Sequence, residues 1–218
     1  MSSHTASLAA IPESSPPEPT RLPVAYWPVL LVLVAALLWV ASLPSVHLGA
    51  MSDLGLVSVL PPAVSIALIV LTVSFCLTLH GHEPRSPLLL LHAVVLVVML
   101  YGVTALVEPE PRFAVAWRHV GIADYIMQHG AVDPRIDAYF NWPGFFILSA
   151  FMTRVAGVQS PLGAIAWAPV VFNLLYLGPL LMMLRAATQD RRLVWLGVWF
   201  FYLSNWIGQD YFSPQALN

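Results

Sequence analysis

The sequence predicts an all-α fold: a polytopic transmembrane helical bundle of about five spans, with juxtamembrane helices in a long extracytoplasmic loop. Three observations predict it. The charges are few, with nine arginines, no lysine and eleven acidic residues in 218. They lie between long apolar runs: Tyr26–Val46, Leu54–Leu79, Pro87–Val107 and Leu162–Leu184 contain no Arg, Lys, Asp or Glu. Each run is about 20 residues or longer, enough for a helix to cross a hydrocarbon core of roughly 30 Å. The composition agrees, being 59% hydrophobic and 9% charged, where a soluble domain carries about 25% charge. Eight Trp and seven Tyr suit rings that settle at membrane interfaces.

Residues 1–24 form a separate segment rich in Ser, Pro and Ala, with Ser14-Ser15-Pro16-Pro17 at its centre. It cannot bury enough apolar surface to fold, so a disordered, cytoplasmic N-terminus is expected. No basic cluster precedes the first apolar run, which is too long for a cleaved signal. Tyr26–Val46 therefore reads as a retained span, and residues 25–86 as two N-terminal transmembrane helices. Residues 87–218 form the remaining membrane region, with an extracytoplasmic loop over 108–160.

Orientation follows arginine, which is enriched in short cytoplasmic loops. Arg21 precedes span one, Arg85 lies between spans two and three, and Arg185, Arg191 and Arg192 follow Leu184. The loop Pro44–Asp53 has none. A cytoplasmic N-terminus in a bacterial plasma membrane then places Glu108–Pro143 outside. Trp142–Val158 poses a parity problem, being apolar enough for a short span but carrying Arg154. If it crossed, the Arg185/Arg191/Arg192 cluster would face outward. A non-crossing Trp142–Ala156 keeps that cluster inside and lets Arg154 reach headgroups. Leu193–Ile207 is then a short last span that leads out to Gly208–Asn218.

The outer loop opens with Glu108-Pro109-Glu110-Pro111-Arg112, whose prolines stop the preceding helix. Phe113–His129 reads as a helix of about four turns, with Gly130 as C-cap. Phe113, Ala116, Trp117, Val120 and Met127 share one face, and Arg118, Tyr125 and His129 lie near the other. This suits a helix lying on the bilayer, aromatic face down. Asp124 falls within the apolar face, where a carboxylate needs a partner or a substrate. Ion pairing with Arg118 or Arg112 is one reading, and a catalytic or metal-binding carboxylate is the other. Asp133, Asp137, Glu108 and Glu110 compete for the second role.

Tyr139-Phe140-Asn141-Trp142-Pro143-Gly144-Phe145-Phe146 is the densest aromatic stretch. Asn141 can cap the helix that Pro143 begins. The stretch suits an interfacial belt, or a sugar site in which rings stack on pyranose faces. Gly208-Gln209-Asp210-Tyr211-Phe212-Ser213-Pro214-Gln215 repeats the same vocabulary on the same side. Convergence of the two segments would form an outward-facing polar site.

Several classes are disfavoured. No basic patch suits nucleic acid. The lone Cys76 makes no disulfide within the chain. The seven histidines show no paired ligand spacing for a metallohydrolase; His80 and His82 are close, but only Glu83 accompanies them. His92 and Asn173 are the main polar groups in the spans, which weighs against an ion-coupled transporter. A non-catalytic membrane scaffold or transporter subunit stays open.

Asp124-Tyr125-Ile126-Met127-Gln128-His129-Gly130, then Tyr139-Phe140-Asn141-Trp142-Pro143-Gly144, the helix Phe145–Arg154 and Gly157 together resemble the polytopic glycosyltransferases of the GT-C fold. Leu162–Arg192 resembles the next span and cytoplasmic turn of that family, and the resemblance covers about residues 87–218. It implies sugar transfer from a polyprenyl-phosphate donor to a glycan or lipid acceptor of the cell envelope, at the outer side of a lipid membrane. It implies an outward-facing general base, ranked here Asp124, then Glu110, then Glu108. It implies substrate contacts from Arg118, His119, Tyr125, Tyr139, Asn141, Trp142, Gln209 and Asp210, with the first two facing phosphate. A divalent cation, Mg or Mn, stays open as a cofactor, with no metal ligand assigned. Many members carry an adjacent Asp-Glu pair where this chain has Glu108-Pro109-Glu110. Asp53 is a further acid on the outer side. The fold usually carries more spans, so the expectation is an N-terminal portion or half of a split protein.

Overall fold

The structure, a computed structural model, describes residues 26–81, 85–205 and 208–217. The segment 1–24, with Arg21, and the residues His82, Glu83 and Ile207 named above lie outside these. Among the described residues there are eight α-helices and no strand, so the all-α expectation holds.

Helix α1, Trp27–Ser42, carries Pro28 in its first turn, where a missing N–H and a preset φ do no harm. Helix α2 spans Pro62–His80. The second apolar run was expected to be helical from Leu54, but Leu56–Val59 is only a 3-10 turn. Pro61-Pro62 withhold two N–H donors and confine the α-helix to their C-terminal side. The third run divides into α3, Ser86–Tyr101, and α4, Val103–Val107, on either side of Gly102. Helix α5 spans Val115–His129 and α6 spans Gly144–Val155. A 3-10 turn, Pro161–Trp167, occupies the start of the run expected from Leu162, and α7, Ala168–Ala187, follows. That helix continues past Leu184 and holds Arg185 in its last turn. Helix α8, Arg191–Ser204, is capped by Asp190, whose side chain accepts from the Arg192 N–H at 2.8 Å.

Three segments are long and apolar enough to cross a membrane: Trp27–Ser45, Pro62–His80 and Pro161–Ala187. Helices α3 and α8, also expected as spans, have 16 and 14 residues. At about 1.5 Å per residue both fall short of a roughly 30 Å core.

Helices α1, α2, α3, α7 and α8 share one core, in which Leu71, Phe75, Leu96, Val97 and Trp199 are buried. Phe75 of α2 stacks on Trp199 of α8 with centroids 4.1 Å apart. The Ser74 hydroxyl lies 2.8 Å from His92 Nε2, and His92 Nδ1 lies 2.7 Å from the Leu88 carbonyl. A carbonyl only accepts, so Nδ1 donates to Leu88; in the neutral ring Nε2 is an acceptor, and the Ser74 hydroxyl, also 2.9 Å from the Pro28 carbonyl, shares its one proton between the two. The Nε2 contact joins α2 to α3, while the Nδ1 bond stays within α3.

The two ends of the bundle differ. Arg192 Nη2 donates to the Gly81 carbonyl at 3.1 Å, so the loop after α2 and the turn before α8 share one end. At the other end the Tyr101 hydroxyl donates to the Tyr202 carbonyl at 3.0 Å. Helix α4 meets the Pro161–Trp167 turn at this same end. The chain between Tyr101 and α7 therefore leaves and re-enters the bundle at one end. Helix α6 packs chiefly on α5 there.

Candidate functional site

Helix α5 organises the layer over the Tyr101 end. Its apolar face was expected to rest on the bilayer, but protein covers it. Ala116, His119, Val120, Ile122 and Ala123 are buried against Phe140, Phe145 and Phe146 on one side and Ile165, Tyr211 and Phe212 on the other. Trp117, assigned to that face, is 44% exposed; one residue is about 100° of helical rotation, enough to swing it off the seam. Gly130 ends the helix at φ +64°, its N–H on the Ile126 carbonyl at 2.8 Å, as a left-handed C-cap requires.

Asp124 meets neither Arg118 nor Arg112 as an ion-pair partner. Its Oδ2 accepts a 2.9 Å hydrogen bond from Ser160, and its Oδ1 is buried with no partner. Ser160 also caps the Pro161–Trp167 turn through the Leu162 N–H, which holds the hydroxyl in place. The same serine lines an apolar groove of ≈ 570 Å³ between α6 and α7, walled by Phe145, Leu148, Met152, Val171 and Leu175.

Arg118 instead grips Asp137 with two bonds, Nε to Oδ2 at 2.7 Å and Nη2 to Oδ1 at 2.9 Å. Its guanidinium lies 5.1 Å from the centre of the Tyr139 ring. The hydrogen bond from Arg118 holds the Asp137 carboxyl below the usual carboxylate range. His119 was a candidate for phosphate contact, but its side chain is buried. Nδ1 lies 2.7 Å from the Phe212 carbonyl, the ring packs among Tyr139, Phe146 and Tyr211, and Nε2 has no partner. Burial pushes its pKa down, partly opposed by the bond to Phe212.

The C-terminal segment does converge on α5, with Tyr211 against Phe113 at 4.8 Å between ring centres. Its acid turns inward, however. Asp210 is 6% exposed, and Oδ2 accepts from Asn173 Nδ2 at 2.8 Å while Oδ1 is unpartnered. Asn173 also donates to the Pro169 carbonyl, accepts from Asn205, and offers its own carbonyl to the Tyr202 hydroxyl. Gln209 beside it is exposed.

The other candidates stand apart from Asp124. Glu108 is half-buried just beyond α4, and desolvation raises its pKa, with Arg112 opposing. Glu110 is exposed and shares a shallow depression with Arg112, Phe113 and Tyr211. Tyr125 stacks on His129 at 4.1 Å. Asn141 does not cap α6: its amide donates to the Ala138 carbonyl at 2.9 Å, and Pro143 takes the cap position. The proline already removes the first N–H that a cap would satisfy. Trp142 is 75% exposed. Asp53 is exposed near the start of α2.

Among the described residues no three His, Cys, Asp or Glu side chains converge to hold a metal ion. Among the described residues the donor set at Asp124, one carboxylate and the Ser160 hydroxyl, does not fit Mg or Mn. Ser160 escaped the sequence reading, although the Ser-Pro step at 160–161 was an available signal; Asn173 was marked as a polar group within an apolar run, but not as the partner of Asp210.

Compared with known protein families, curated proteins and solved structures, the chain matches none.

Proposed function

We propose that this chain is an integral membrane glycosyltransferase, or the N-terminal half of one, that moves a sugar from a polyprenyl-phosphate donor to a cell-envelope acceptor. In this reading the bundle crosses a bacterial plasma membrane several times, with the end that carries Arg85, Arg185, Arg191 and Arg192 cytoplasmic and the α5–α6 layer outside. One observation carries the reading. Asp124 has one oxygen tied to Ser160 and the other unclaimed, and Ser160 lines an apolar groove of ≈ 570 Å³. A base needs an oriented carboxylate with a free acceptor, and an isoprenoid donor needs an apolar channel beside it.

The acceptor hydroxyl gives its proton to Asp124 Oδ1 as its oxygen bonds to the anomeric carbon. The anomeric carbon–oxygen bond breaks, and the lipid phosphate leaves with that electron pair. Arg118 serves as a phosphate contact by exchanging Asp137 for the phosphate, since its fork suits either anion. Asp124 Oδ1 becomes reachable when the Pro161–Trp167 turn lifts from α5.

The test is sugar transfer from a labelled polyprenyl-phosphate donor in membranes that contain the full chain. Asp124→Asn is expected to lower transfer by about 10²–10⁴-fold, the usual worth of a general base, with insertion unchanged. Ser160→Ala, which keeps the carboxylate, is expected to lose far less. Normal transfer by Asp124→Asn removes this residue from the mechanism. A second reading, a non-catalytic scaffold, draws on the closed state of the layer, where Arg118 is already paired and His119 is sealed. It expects no transfer from the wild-type chain and no effect of Asp124→Asn on any partner's activity.

A further inference from the structure

The opposite end of the bundle carries a polar cleft that sugar transfer does not use. It lies between the first turn of α3 and the turn from α7 to α8, with a volume of ≈ 380 Å³. Ser86, Arg185, Thr188, Gln189 and Arg191 line it, with Trp195 as part of the wall. Among the described residues neither Arg185 nor Arg191 has an ion-pair partner. Asp190, between them in sequence, is turned to the α8 backbone, accepting from the Arg192 N–H. Arg192 is committed to the Gly81 carbonyl, and Arg85 precedes α3 on the same end.

Two guanidiniums that share a cleft with no counter-ion among the described residues repel each other, and one anion with several oxygens relieves both. The Ser86 and Thr188 hydroxyls and the Gln189 amide add neutral donors around the same space. A carboxylate offers two oxygens, whereas a phosphate offers more acceptor sites to a ring of five donors. The cleft borders an apolar belt: Met182 is 75%, Met183 71% and Leu193 54% exposed. A phosphate held here would sit where a lipid headgroup meets its acyl chains. We infer that this cleft binds the phosphate headgroup of an anionic phospholipid. The inference needs the bundle to lie in a membrane but is independent of glycosyl transfer.

The experiment is native mass spectrometry of the full chain in detergent, titrated with phosphatidylglycerol or with phosphatidylcholine. The wild-type chain is expected to retain phosphatidylglycerol more tightly. The double variant Arg185→Gln/Arg191→Gln is expected to weaken that retention by about ten- to thirtyfold, as loss of two basic contacts implies. Arg185→Lys/Arg191→Lys restores most of it, and Arg135→Gln, at the far end, leaves it unchanged. Undiminished retention by the Gln double variant overturns the site. So does an equal loss in Arg135→Gln, which would mean diffuse charge attraction. Inorganic phosphate that displaces phosphatidylglycerol at equal concentration overturns the assignment to a lipid.

Discussion

Asn173 and Asp210 are joined by a 2.8 Å hydrogen bond across 37 residues. Both side chains are buried, and together with the Tyr176 hydroxyl on the Ala216 carbonyl at 2.6 Å the bond ties the C-terminal segment to the bundle. A buried carboxylate with one acceptor satisfied and one empty is poised between two costs: losing its donor, or keeping its charge.

Removing the donor is expected to hurt more than removing the charge. Asn173→Leu leaves the carboxylate without its side-chain donor, which costs about 1–3 kcal/mol or more for a charged group. Asp210→Asn keeps the shape and an acceptor oxygen while discarding a charge that lacks a counter-ion. Thermal unfolding in detergent is expected to rank Asn173→Leu below Asp210→Asn. The reverse order would mean the charge of Asp210 is matched by a cation and stabilises the fold.

Helix α2 has an inner and an outer side, and the two are expected to respond differently to truncation. Phe75 is 1% exposed and stacked on Trp199, whereas Leu77 two positions on is 55% exposed. Phe75→Ala is expected to cost about 3–5 kcal/mol through its cavity, and Leu77→Ala close to nothing when lipid or detergent covers that face. Equal melting temperatures for the two variants would show that α2 and α8 do not pack as described.

Docking of the C-terminal segment is expected to weaken in acid. Burial lowers the pKa of His119 in the folded state, so the unfolded ring binds protons more readily. A lowered histidine pKa means full stability above the ordinary value of about 6.5 and a loss as pH falls from there towards the folded value. The charged groups around the ring are Arg118 and Asp137, with the neutral Tyr139 and Tyr211 packed against it. Limited proteolysis near Phe212 at pH 7.5 and 5.5 reads the effect. His119→Asn, which retains a donor for the Phe212 carbonyl without a titrating ring, is expected to flatten the dependence; a persistent slope would place it elsewhere.

Opposite labelling of two loops is expected in intact cells. With Cys76 replaced, a cysteine at Gln159 should react with an impermeant reagent from outside, and one at Gln189 only after the membrane is opened. Reaction of both from the same side would show that Ala168–Ala187 does not cross, and reaction of position 189 but not 159 from outside would show that Gly144–Val155 does.

The helices were legible because hydropathy, proline position and arginine spacing are properties of neighbouring residues. The Gly130 cap and the isolation of His92 and Asn173 among apolar runs could both be read this way. Helix starts were read less well: Pro61-Pro62 and Pro169 sit at the starts of α2 and α7, several residues past the beginning of each apolar run, because a hydropathy run does not register a missing N–H. At the candidate site, Asp124 was legible as an acid out of place. Its partner was not, since Ser160 lies 36 residues away and a nearby arginine looked the better mate.

The sequence by itself determined an apolar, helical chain whose few charges lie between its long apolar runs. Those features follow from transfer energies and backbone sterics that act over a few residues at a time. Only the tertiary structure decided which polar groups are spent: Arg118 on Asp137, His119 on Phe212, Asp210 on Asn173, with Asp124 half-used and Arg185 and Arg191 sharing one cleft. Those pairings depend on how α5, α6 and the C-terminal segment fold over the bundle, and a buried polar group takes whichever partner that packing brings within about 3 Å.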